Sequence, residues 1–254
     1  MSGLLLLLAA FSVFVGALIG AVGIGGVLLV PFLTYVLGVD IHSSISAAMF
    51  GFIFAGAVGA VSYARHGSIR WRMAGWLIAG AMPAAFLGAL TASASSGRIL
   101  EVAIAALLLF AGFNALRSSI QNNEVGREFG PIALILIGAV TGYGSAMTGT
   151  GGPLILVPLM VWLKVPVLTA VGLSQATQFP LATLATAGNI AFGAVDFAIG
   201  AAVAAGLVCG VAVGAKVAHA IAPDTMKRVV AWVTLCVGVF IAGRVVIAFM
   251  LPPT

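Results

Sequence analysis

Charge is what this sequence has least of. Of 254 residues, 11 are Lys or Arg and 6 are Asp or Glu. Together they make 7% of the chain, against about 25% in a soluble domain. Such a chain cannot clothe a water-facing surface, which excludes an ordinary globular domain. The basic residues stand singly between apolar runs, so the net charge of +5 forms no phosphate-tracking stripe and nucleic acid is excluded as a partner. Cysteine is nearly absent too: Cys209 and Cys236 sit in apolar runs, with no CxxC and no Cys/His cluster, and are expected to be free, buried thiols. His42, His66 and His219 fall in connections, so neither a metal site nor any cofactor is expected. GxSxG, HExxH, P-loop and paired mid-span carboxylates are all missing, and nothing would activate a nucleophile or water; an enzyme is not expected.

What the chain has is apolar length: 62% of it is hydrophobic, and lipid is the solvent that fits. The runs are 4–37, 44–64, 74–92, 99–117, 131–163, 170–191, 197–218 and 228–250. Six match the roughly 20 residues that cross a bilayer. Runs 4–37 and 131–163 are longer and are interrupted by Gly23-Ile24-Gly25-Gly26 and Gly149-Thr150-Gly151-Gly152, clusters that break a helix. No Lys or Arg precedes Leu4–Leu8, so the basic region of a cleavable signal peptide is missing and the first run is expected to be retained.

Gly25 and Gly151 lie 126 positions apart (151 − 25), and the same offset carries Gly16 onto Gly142, Gly67 onto Gly193, Gly80 onto Gly206, Gly88 onto Gly214 and Gly112 onto Gly238. Eight of the 17 glycines in residues 1–128 land on a glycine, where chance would give about 2. The chain therefore reads as two copies of one unit, 1–126 and 127–254, in the manner of many secondary transporters.

The positive-inside rule chooses between two topologies. Eight simple crossings leave six basic residues inside and five outside. Folding 4–37 and 131–163 into re-entrant hairpins leaves only Arg98 and Arg244 outside, nine against two. The expected fold is thus an all-α integral membrane protein of two inverted repeats, each a glycine-tipped re-entrant hairpin plus three transmembrane helices, with both termini outside.

Irregular backbone survives at membrane depth only where protein or a water-lined cavity satisfies its polar groups. Each return arm begins at its glycines, and a helix start presents unpaired N–H groups and roughly half a positive charge. Gly25, Gly26, Gly151 and Gly152 would let that backbone approach a small oxyanion closely, with Pro153 tolerated in the first turn. Thr148 and Thr150 are candidates by position. A dinucleotide site is excluded, because Leu28 and Leu154 replace the third glycine of GxGxxG. The simpler role of glycine, close helix packing, fits Gly16-x3-Gly20 and Gly206-x3-Gly210-x3-Gly214.

With Gly16-x3-Gly20-x2-Gly23-Ile24-Gly25-Gly26 before Pro31, Gly149-Thr150-Gly151-Gly152 before Pro158, and the segments Gly67-Ser68-Ile69-Arg70-Trp71 and Gly193-Ala194-Val195-Asp196-Phe197, the chain resembles the sulfite exporter TauE/SafE family along essentially its whole length. Val27 stands where many members carry a third glycine. The resemblance implies a bacterial inner-membrane, multi-pass transporter of sulfite, sulfonates or other small organic anions. Its partners would be that anion and the lipid bilayer, with a homodimer left open. Export by alternating access is the expected activity; an anion channel or an uptake permease for another organic acid is the alternative.

Ser174, Gln175, Thr177 and Gln178 put polar side chains on one helix where the first copy has Ala48, Met49, Gly51 and Phe52. The two amides either contact substrate or bond neighbouring helices. Asn189, opposite Tyr63, reads as an interface residue nearer a membrane face. Arg244 is placed to snorkel. No Asp or Glu lies clearly mid-span, so no intramembrane carboxylate relay is expected.

Overall fold

The structure, a computed structural model, describes residues 2–23, 25–117, 129–191, 195–217, 232, 235–244, 246 and 247. Ile24, Arg127, Gly193, Ala194, His219, Lys227, Arg228 and part of the run 228–250 lie outside the described residues. Every regular element described is helical: α1 (Ser2–Val22), α2 (Gly26–Val36), α3 (Ile41–Arg65), α4 (Trp71–Ala94), α5 (Gly97–Arg117), α6 (Pro131–Thr148), α7 (Gly152–Trp162), α8 (Val167–Ala191), α9 (Phe197–Val217) and α10 (Leu235–Arg244). Among the described residues four helices, α3, α4, α6 and α9, are long and apolar enough to cross a membrane.

Both over-long runs are divided at their glycines. α1 ends where Gly23 takes φ 75°, and α6 ends where Gly149 takes φ 67°. This left-handed conformation ends a helix at little steric cost only in glycine. Beyond each cap the chain doubles back: a methyl carbon placed on Gly25 would lie 2.8 Å from Cβ of Leu18, and the Phe32 ring of α2 stacks on Phe11 of α1 at 3.8 Å between centroids. α7 is 11 residues long, about 16 Å, well short of the roughly 30 Å hydrocarbon core. α2 opens with a 3₁₀ turn and finishes as a π-helix over Phe32–Val36. The return arms then end in matching left-handed residues, Gly38 (φ 70°) and Lys164 (φ 63°).

Polar caps fix the remaining starts. The Asp40 carboxylate accepts from His42 N at 3.0 Å and Ser43 N at 3.2 Å at the head of α3. Asp196 does the same for α9, from Ala198 N at 2.9 Å and Ile199 N at 3.1 Å. Pro131 begins α6, where its missing N–H costs nothing.

Without water between helices, association in lipid rests on close packing, and small residues permit it. α1 lies parallel to α9: Gly16 backs onto the Leu207 carbonyl, Gly20 onto that of Val211, and Gly214 onto that of Ala17. α4 and α6 repeat the arrangement, with Gly80 on the Ile135 carbonyl, Gly88 on that of Tyr143 and Gly142 on that of Ala81. These contacts exchange under the 126-residue offset: Gly16 with Leu207 becomes Gly142 with Ala81, and Gly88 with Tyr143 becomes Gly214 with Ala17. α3 and α8 cross antiparallel at the centre, Gly56 beside Phe179 and Gly59 beside Gln175. α3 runs parallel to α9, with Phe50 edge-on to Phe197 at one end and Arg65 beside Lys216 at the other.

A stability prediction follows from these seams. Gly210→Ile drives a side chain into the Val13 carbonyl and the Ala17 amide, and should cost about 1–3 kcal/mol by overpacking. Gly75 has no atom within 4 Å of a Cβ, so Gly75→Ala should be neutral or stabilising by about 0.5–1 kcal/mol. Melting temperatures of the two variants in detergent check the contrast.

One expectation is corrected. Cys209 and Cys236 are free, but both are exposed on the outer face of the protein. An apolar run has a lipid-facing side as apolar as its inner side, so hydrophobic context does not reveal burial. Asn189 is buried at 3% exposure, with Nδ2 lacking a hydrogen-bond partner. Its neighbour Gly188 abuts Ala89 of α4. Arg244 is exposed, with its guanidinium 4.7 Å above the Tyr35 ring. The Tyr35 hydroxyl in turn donates to Glu101 Oε1 at 2.9 Å.

Candidate functional site

The two glycine breaks come together. A methyl carbon on Gly26 would sit 2.7 Å from the Thr150 carbonyl oxygen and 2.7 Å from Cζ of Phe52. One on Gly151 would sit 3.3 Å from Cε2 of the same ring, and one on Gly152 3.9 Å from Cα of Gln178. Gly25, Gly26, Gly149, Thr150, Gly151 and Gly152 are all buried. The tips touch, with Phe52 of α3 wedged against both and Gln178 of α8 behind the second.

Six of the eight residues singled out in the sequence thus gather at or beside this contact: Gly25, Gly26, Thr150, Gly151, Gly152 and Gln178. Thr148 belongs to the same cluster through its hydroxyl. Thr148 Oγ1 donates to the Gly144 carbonyl at 2.6 Å, so the 3.0 Å contact between Thr148 and Thr150 Oγ1 atoms takes its proton from Thr150. Both hydroxyl protons are therefore engaged in this arrangement, and their oxygens remain as acceptors.

The two amides, equivalent in sequence, separate in structure. Gln175 Nε2 donates to the Ile19 carbonyl at 2.9 Å, binding α8 to the last turn of α1. The Tyr63 hydroxyl donates to the next carbonyl, Gly20, at 2.9 Å. The Ile19 carbonyl also accepts from Gly23 N at 2.9 Å, so Gln175 adds a second hydrogen bond to the last turn of a helix that stops at Gly23, and Tyr63 ties α3 to the same turn. Gln175 is thus a brace for the first tip. Gln178 is fully buried and neither its Oε1 nor its Nε2 has a hydrogen-bond partner. A buried amide left unpaired costs about 1–3 kcal/mol, so it marks a place where packing alone does not explain the residue. Ser145 and Thr141, on the same α6 that ends at the tip, have buried unpaired hydroxyls as well.

Phe52 is the residue that motif reading missed. An aromatic in an apolar run carries no signal of its own, but the 126-residue offset sets Phe52 opposite Gln178; the Phe52 ring lies against Gly26 and Gly151, and the Gln178 backbone and Leu181 side chain lie against Gly152. The site is accordingly one-sided: an apolar ring from one half, and amide and hydroxyls from the other.

Fold and site together define a helical integral membrane protein organised around two broken helices that meet inside it. Residues 7–241 match the family described as "Sulfite exporter TauE/SafE", and the chain belongs to that family. It is 28% identical over 224 residues to "Probable membrane transporter protein YdhB" of Bacillus subtilis (strain 168), spanning 85% of this chain and 91% of that protein. It is 24% identical over 257 residues to "Probable membrane transporter protein YjnA" of the same organism, spanning 89% and 95%. No solved structure matches the chain. The protein is a multi-pass membrane transporter.

Proposed function

We propose that this transporter moves a small oxyanion, such as sulfite or an organosulfonate, across the bacterial inner membrane, and that the anion binds where the glycine tips meet. The observation that carries the reading is Gln178, fully buried with an unpaired amide, whose Cα stands 3.9 Å from where a Cβ on Gly152 would go. Its N–H groups would donate to an anion seated there, alongside the backbone N–H groups and partial positive charge at the starts of α2 and α7. Such a site needs no buried Lys or Arg. Gly25, Gly26, Gly151 and Gly152 keep that backbone accessible, Thr148 and Thr150 reorient their hydroxyls toward the guest, and Gln175 acts indirectly by holding α1.

In this reading residues 1–126 and 127–254 are inverted repeats that rock about the α3–α8 crossing, parting the tips toward one side and then the other. Support comes from the glycine contacts that exchange under the offset, and from directions: α3 runs parallel to α9, and α4, which returns from α3 through the turn at Gly67, runs against it. Export is the favoured direction, because a cell interior at negative potential drives an anion outward by about 2.3 kcal/mol per charge per 100 mV without a coupling ion.

The functional test is flux of labelled sulfite and of an alkanesulfonate in proteoliposomes, where a carrier saturates and supports counterflow. Linear, non-exchanging flux would replace alternating access with a channel. The topology has its own test, in a Cys209→Ala/Cys236→Ala background: Gly38→Cys should react with a membrane-impermeant maleimide from the periplasm, and Lys164→Cys only after the cytoplasmic face is opened. Labelling of both from one side would overturn the inverted arrangement.

A further inference from the structure

α3 and α9 end together, each with a cation in its last turn, Arg65 and Lys216. Between the two helices, below these cations, lies a cavity of about 470 Å³. Val58 and Val61 of α3 and Ala212 of α9 give it an apolar wall, and Ser62 and His66 line it beside Arg65. Arg65 and Lys216 are exposed at its mouth, and neither makes an ion pair among the described residues. The described carboxylates stand far from it. Asp40 and Asp196 cap the opposite ends of the same two helices, and Glu101 is bonded to Tyr35, in the return arm that runs to the Asp40 end.

We propose that this cavity is a binding site for an anionic phospholipid. Two cations with no described carboxylate nearby would hold a phosphodiester at the membrane surface, and the apolar trough running down from them would take the adjoining acyl chain. Val61, 51% exposed, lies one helical turn before Arg65 on the same face of α3, so headgroup and chain contacts follow one another along the direction a lipid takes in its leaflet. Free phosphate would engage the cations but leave the trough empty. Simple pairing of basic residues with helix C-termini would account for Arg65 and Lys216, but it needs no cavity between them.

The test is thermal unfolding of the delipidated full-length protein in detergent. Phosphatidylglycerol should raise the melting temperature by roughly 5 °C or more at saturation. Phosphatidylcholine at the same mole fraction and inorganic phosphate should not. The phosphatidylglycerol-specific shift should vanish in Arg65→Gln/Lys216→Gln, and also in Val61→Trp, which fills the trough and leaves the charges alone. An equal shift with phosphatidylcholine, a full shift with phosphate, or an undiminished shift in both variants would overturn the site. Should the double variant fold poorly, native mass spectrometry of Lys216→Gln replaces it: unchanged retention of phosphatidylglycerol counts against the proposal and reduced retention counts for it. None of these measurements depends on which anion the protein transports.

Discussion

Gln178→Leu is expected to melt higher than the parent protein and to transport anions about 10- to 100-fold more slowly. The two effects share one cause. In the resting arrangement the amide is buried without a partner, which costs about 1–3 kcal/mol, and a leucine of similar volume removes that cost. When an anion occupies the site, the same amide gains a hydrogen bond to a charged group, worth about 1.5–3 kcal/mol, and the leucine cannot supply it. Gln175→Leu should behave in the opposite way. It breaks the bond to the Ile19 carbonyl, and interhelical bonds of this kind in membranes are worth about 0.6–1.7 kcal/mol. Its melting temperature should fall by a few degrees, and flux per folded molecule should fall less than in Gln178→Leu. Melting curves and initial rates for both variants decide the matter: a lower melting point with intact flux for Gln178→Leu would make that residue a packing contact and remove the observation on which the site rests.

The second large effect belongs to the tips. Gly151→Leu and Gly26→Leu should each abolish measurable flux while the protein still inserts and purifies. At Gly151 the backbone holds φ 78° and ψ 151°, a conformation nearly closed to residues with a Cβ and costing of order 1–3 kcal/mol; the new side chain would also meet the Phe52 ring. At Gly26 the obstacle is steric, because the Thr150 carbonyl and the Phe52 ring already stand 2.7 Å from where a Cβ would go. A bulky side chain there pries the tips apart or locks them, and either outcome stops a cycle that needs them to close and part. Gly75→Ala serves as the control on a helix surface. Flux retained in both tip variants would show that the meeting of the two breaks has no part in transport.

Phe52→Ala should separate occlusion from binding. The ring fills the contact between the tips, so its removal leaves a cavity and a cost of about 3–5 kcal/mol if the site cannot collapse. It leaves the amide and hydroxyls of the other half in place.

Much of the architecture was legible in residue order alone. An apolar chain with so few charges has only lipid as a solvent, and glycine clusters inside runs too long for one crossing mark where a helix must stop, so the class of protein and the positions of both breaks could be read directly. The spacing of those clusters supplied the register that pairs Gly16 with Gly142 and Phe52 with Gln178. Local chemistry determines each of these features, through backbone freedom at glycine and the length of a membrane span.

Which surfaces meet was decided only in three dimensions. α1 packs on α9 and α6 on α4, pairings more than 50 residues apart in the chain, and no periodicity within either helix names its partner. Gln175 and Gln178 have the same side chain one turn apart, and only the location of the Ile19 carbonyl makes one a brace and leaves the other unpaired. Cys209 and Cys236 show the same limit. Water distinguishes the inside of a soluble protein from its outside, whereas hydrocarbon makes the two faces of a membrane helix alike. Sequence therefore marks where helices break and how long they are, and the packing of one helix against another determines which side chains come to face a substrate.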